Sequence, residues 1–220
     1  MAFTGFPPSA LTFYEELAAN NTRAWWQANK ARHERDVKAP MTALLADLDE
    51  FGPFNVFRPF NDVRFAKNKA PYKLNIGAVG ETEGGAIDYV QLSAEGLMAG
   101  SGYYSMASDQ LERFRCAVDD DRLGAQVEAL VRDLAKSGLT IGAIDELKTA
   151  PRGYAKVHPR IALLRRKGLI AYRQWPVAKW LHTKAAASRV RDLWLSVRPL
   201  DEWLDAHVGP STLPPPDFAR

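Results

Sequence analysis

Sixteen residues, Arg58–Lys73 (RPFNDVRFAKNKAPYK), carry five cations, Arg58, Arg64, Lys67, Lys69 and Lys73, against one carboxylate, Asp62. Strands seldom gather like charge this densely unless something negative lies opposite, so the stretch reads as an anion site. An arginine such as Arg64 offers a planar fork that holds phosphate or carboxylate through two parallel bonds, whereas each lysine acts as a compact point charge. Asp62 can orient Arg64, while Tyr72 and Asn75 can add hydrogen bonds. Crowded ammonium groups lower one another's pKa, which makes Lys69 a candidate base or nucleophile. Asp62 and His158 are the other candidates for proton transfer.

A second basic region follows. From Lys148 to Arg191 there are twelve Lys and Arg residues and no Asp or Glu. Arg152 and Arg160 flank His158, and Tyr154 lies close by. An anion near the helix start at His158–Pro159 would meet unpaired backbone amides there. His158 has two readings, a cap at that helix start or an acid–base group, because an ordinary imidazole titrates near neutrality. Three function classes stay open. The first is a site for a small phosphorylated or carboxylated ligand. The second is nucleic-acid binding, in which the two basic stretches contact phosphates and Tyr154, Tyr172 and Trp175 stack on bases. In the third, the basic residues pair internally with the acidic middle (Glu81, Glu83, Asp88, Glu95, Asp109, Glu112 and Asp119–Asp121) and the protein acts through a partner surface.

Other chemistries are absent as motifs. The chain has no GxxxxGK[ST], GxGxxG, GxSxG or HExxH and no paired CxxC. Its four histidines show no ligand spacing, so neither a metal nor a cofactor is expected. Cys116, the only cysteine, is expected to be a buried, inert thiol beside Phe114 and Val118. No disulfide can form within the chain, and no apolar run approaches the roughly 20 residues that span a bilayer. The N-terminus lacks a leader-like pattern. A cytoplasmic protein with no membrane partner is the expectation, and the sequence says nothing of oligomeric state.

The elements that must position these residues can be read from spacing. Leu11, Tyr14, Leu17 and Ala18 mark a helix from Ser9 to Ala19, and Asn21 or Thr22 caps a longer one through Lys38. Trp25 and Trp26 read as packing residues on it. Pro40 suits the first turn of a further helix ending near Glu50. Strands are expected between about Asn55 and Tyr104. DVRFA and PYKLNIG alternate as a hairpin that puts Tyr72, Leu74 and Ile76 on the core face and Arg64, Lys73 and Asn75 opposite. DYVQLSA and LMAG form a second hairpin. A helix follows from Ser108 to Val118, then one with a Leu123, Val127, Leu130, Val131 and Leu134 stripe ending at Gly138. His158–Pro159 opens a helix to Gly168, LIAYRQW reads as a strand, and Pro176 and two further helices reach Val208. The fold class is α+β, an antiparallel sheet of two or more hairpins flanked by N-terminal and C-terminal helices. Residues 1–208 are expected to form one domain, with 209–220 a Pro-rich extended or disordered tail.

RPFNDVRFAKNKAPYK and PRGYAKVHPRIALLRRKG, with FYEELAANNTRAWWQANKARHE near the start, resemble the bacterial domain of unknown function 2461 family over most of the chain. Its pattern centres on Arg64–Phe65, Lys67 and Lys69, Pro71–Lys73, Gly153–Tyr154 and His158–Pro159. Asn68 stands where that pattern has Asp. The resemblance implies a grouping and no activity.

Overall fold

The computed structural model describes residues 2–61, 70–81 and 84–214. Asp62, Arg64, Lys67, Lys69 and the expected DVRFA strand lie outside them.

α1 (Pro8–Ala19) starts one residue before Ser9, with proline in its first turn, and Ser9 bonds to Asp36 instead of capping. Its buried stripe is Ala10, Leu11, Phe13, Tyr14 and Leu17, while Ala18 is exposed. α2 (Arg23–His33) is capped by the Thr22 hydroxyl, which accepts from the Trp25 N–H. It runs without a break through a π-helical turn, Glu34–Lys38, into α3 (Ala39–Ala46). Pro40 sits in the first turn of α3, as read, but α3 follows the π turn without a break and ends at Ala46. The Ala39 N–H reaches back to the Glu34 carbonyl, and this wider turn precedes a residue that has no N–H to give.

The sheet has β1 (Phe54–Val56), β2 (Asn75–Glu81), β3 (Ile87–Ser93), β4 (Gly96–Tyr103), β5 (Thr140–Gly142) and β6 (Leu169–Trp175). Its order is β1-β2-β3-β4-β6-β5 and it is antiparallel, so the α+β architecture is as read. β3 and β4 form the second expected hairpin. Gly102 of β4 adopts φ +126°, and a Cβ there would lie 2.3 Å from the Leu169 carbonyl of β6, so only glycine allows this approach.

The PYKLNIG alternation needs correcting. β2 begins only at Asn75 and pairs with β1 in the register Phe54↔Gly80 to Val56↔Ala78. Beyond β1 the Phe57 N–H bonds to Gly77, but the Lys73 N–H bonds to Pro59 and Phe60 pairs with Tyr72. One strand thus advances two residues while the other advances four. That bulge breaks the alternation, leaving Tyr72 and Ile76 buried and Leu74 exposed.

α4 (Ser108–Asp119) and α5 (Asp121–Lys136) follow. α5 ends as its sequence predicts: Gly138 is left-handed, its N–H bonds to Ala135 and the Leu139 N–H to Leu134. α6 (Ile161–Leu164) is shorter than expected, because the Arg165 carbonyl and the Lys167 N–H pair with Leu147 and Asp145 and draw the chain out of the helix. α7 (Ala185–His207) is one helix where two were expected, and it carries Pro199 internally. Among the described residues no helix is long and apolar enough to cross a membrane.

The chain forms two compact units. One comprises Met1–Glu81, Asp88–Ala99 and Gln174–Leu193, the other Thr82–Ile87, Gly100–Arg173 and Trp194–Arg220.

Candidate functional site

In the first unit, the π turn and the bulge both border a cleft of about 200 Å³. His33, Glu34 and Lys38 line it from the α2–α3 helix, Val56 to Pro59 from the end of β1, and Asn75 and Ile76 from the start of β2. Both irregularities are common beside functional sites, because each re-aims side chains that a regular element would point elsewhere. Lys38 bonds to Glu34 at 2.9 Å, so those two charges offset each other. Arg58 is exposed and makes no ion pair with another described residue. Lys73 holds its ammonium 5.2 Å from the centre of the Phe57 ring, a cation–π contact beside the cleft. Of the anion-binding residues expected from sequence, Arg58 lines the cleft and Lys73 lies beside it, and the supporting residue Asn75 lines it too.

His33 is the residue that sequence reasoning missed. It is 4 % exposed, lies 4.8 Å from Trp26 and 5.3 Å from Phe13 by ring centres, and its Nδ1 is buried without a hydrogen-bond partner among the described residues. Burial pushes its pKa below the ordinary histidine value; Glu34 raises it by less and Lys38 lowers it further. The only signal for it in the sequence was its place at the end of the Trp-bearing helix.

Tyr72 proves to be a packing residue. Its ring stacks on Trp26 at 4.3 Å and an interplanar angle of 9°, and it is buried. The Asn21 side chain bonds to both its backbone groups, accepting from the N–H at 3.1 Å and donating to the carbonyl at 2.9 Å. Asn21, in the Asn20–Asn21 break, thus holds the bridge residue Tyr72 in place. Asn61 donates to the Ala70 carbonyl at 2.9 Å.

The second basic region is divided: it lies in the second unit as far as Arg173 and in the first from Gln174 on, and much of its charge is spent on protein groups. Arg160 donates to the carbonyls of Val118 (2.7 Å), Asp119 (3.0 Å) and Asp120 (3.3 Å), capping the C-terminus of α4. Gly124 on α5 makes room for it, since a Cβ there would lie 2.4 Å from the Arg160 Nε. Arg173 caps α5 in the same way through the Ser137 and Gly138 carbonyls. Arg166 faces Glu146 and Lys167 bonds to Asp145. In the first unit, Arg191 bonds to Glu50 and the Asp47 carbonyl.

His158 accepts the Arg160 N–H on Nδ1 at 3.0 Å and lies 3.1 Å from an Asp119 carboxylate oxygen through Nε2. With Nδ1 accepting, the proton sits on Nε2 and is donated to Asp119. Both nitrogens are occupied; His158 accepts a backbone bond just before α6, whose N-cap is Arg160 with no side-chain cap. Tyr154 is half-buried and bonds to Cys116; burial first, then this neighbour, raises its pKa. Cys116 itself is exposed, contrary to expectation. Phe114, Ala117 and Val118 take the inner face of α4, and Cys116 points away from it. Arg152 is exposed.

Fold and cleft together describe an α+β protein with a small cleft of mixed apolar and polar lining. The chain belongs to the family described as Conserved hypothetical protein (DUF2461), which matches residues 9–203. The grouping read from the two motif stretches is thereby borne out. No curated protein and no solved structure matches the chain.

Proposed function

We propose that the cleft between the π turn and the β2 bulge binds a small anionic ligand, phosphorylated or carboxylated. One observation carries this reading: Arg58 and Asn75, both singled out by residue type in the sequence, line the same ~200 Å³ cleft as the buried His33. Arg58 supplies the fork, Asn75 an amide and Lys73 a nearby point charge. The reading is one of binding. Catalysis would need a proton-transfer group, and His33 is the described residue best positioned for it.

Thermal shift with phosphate, sulfate and acetate tests the proposal. A ligand that binds only the folded chain raises the midpoint by mass action, and Arg58→Gln should abolish that rise while leaving the ligand-free midpoint within about 1 °C. Equal responses from wild type and variant sink it. For nucleic acid, affinity should fall by about three to five decades between 50 and 200 mM salt if six to ten phosphates are contacted. The internal bonds of Arg160, Arg166, Lys167, Arg173 and Arg191 favour the pairing reading for the acid-free segment instead.

A further inference from the structure

The size, lining and chemistry of the cleft narrow the class of ligand, an inference that rests on the anion reading above. A cavity of about 150 Å³ takes a benzene ring. One of about 200 Å³ has room for a ring and one acid group. Its wall is divided. Val56, Phe57 and Ile76 give an apolar surface, whereas Arg58, His33 and Asn75 are polar. A bare inorganic ion would leave the apolar part facing water, while a neutral ring would leave Arg58 unmatched.

His33 adds a directional element. Its Nδ1 is sealed from solvent and has no partner among the described residues. Charging the ring would force an N–H into that sealed position, and a buried N–H without an acceptor costs more than a buried lone pair. The tautomer that avoids this carries its proton on Nε2, the ring nitrogen left to meet a guest. A neutral N–H donor beside an arginine fork suits an acid group with two or three acceptor oxygens. Glu34, the one carboxylate among the described residues that line the cleft, is matched by Lys38 and does not cancel Arg58.

We propose that the ligand is a flat, single-ring anion of about benzoate size, its ring against Phe57 and its acid group between Arg58 and the Nε2–H of His33. The shared chemistry is an aryl-type anion, whether carboxylate or phosphate monoester.

Isothermal titration of the full chain with benzoate, phenyl phosphate, acetate and inorganic phosphate tests it. Benzoate or phenyl phosphate should bind at least about tenfold more tightly than its ring-free counterpart, the factor that burying most of a ring confers. Phe57→Ala should erase that preference and keep acetate and phosphate binding, while Arg58→Gln should weaken all four. In ¹⁵N-histidine spectra His33 should be the Nε2–H tautomer and shift on adding benzoate; His33→Gln, which keeps an N–H donor, should retain more affinity than His33→Leu. If all four anions bind equally, this inference falls and the small-anion reading stands. If none binds, both fall. Toluene binding as tightly as benzoate, or a His33 spectrum of the Nδ1–H form, also overturns it.

Discussion

Arg160 separates a structural arginine from a ligand-binding one. Its side chain is 9 % exposed, and its Nε and Nη2 satisfy three carbonyls at the end of α4. Arg160→Met keeps most of the buried stem and removes every donor. A hydrogen bond to a charged group contributes about 1.5–3 kcal/mol. Three acceptors share two nitrogens, and the carbonyls nearest the exposed helix end can turn to water. The expected loss is about 2–4 kcal/mol, or roughly 5–15 °C in midpoint for a chain of this length. Arg160→Lys retains the charge but not the fork and should lose about half as much. The assay is thermal denaturation followed by circular dichroism, with and without phosphate. The reasoning predicts a lower midpoint and an unchanged phosphate response. An unchanged ligand-free midpoint with a lost phosphate response would refute it and return Arg160 to the anion-binding set.

Other outcomes follow from the same geometry. His33 has a folded pKa below its unfolded value of about 6.5, so the unfolded chain takes up the proton first and stability falls as pH drops below about 6.5, levelling once folded His33 protonates. Urea midpoints from pH 7.5 to 5 should show that slope in wild type and a flatter one in His33→Gln. Gly102→Ala should cost about 2–4 kcal/mol, since strain at φ +126° adds to a backbone clash, whereas Gly153→Ala, at φ +92° in open space, should cost only about 1 kcal/mol. Thermal melts of the two variants check that ordering. Asp109 has its carboxyl held well below the usual range by the Thr212 N–H, helped by Ser211 and Arg113, so its contribution is present above about pH 4 and lost below it. Asp109→Asn should speed proteolysis between 209 and 214 at neutral pH; an unchanged cleavage rate would mean those bonds do not hold the segment.

The sequence by itself determined what depends on neighbours a few residues away. The Thr22 cap, the Gly138 terminus of α5, the β3–β4 hairpin and strand β6 all follow from local hydrogen bonding and side-chain period, and all are present. The family grouping was legible for the same reason, because its motifs are contiguous. Tertiary structure decided where periodicity breaks and where charge is spent. The bulge that exposes Leu74 arises from pairing with β1 and is invisible in an alternation that looks regular. α6 stops early because Asp145 and Leu147 offer its chain better bonds than another helical turn. Arg58 and Arg160 look alike in sequence as cations in acid-poor surroundings, yet one lines a cleft and the other closes a helix 40 residues away. Charge is a property of a residue, but whether an anion can reach it depends on which carbonyls and carboxylates the fold brings within about 3 Å, and that is a matter of long-range packing.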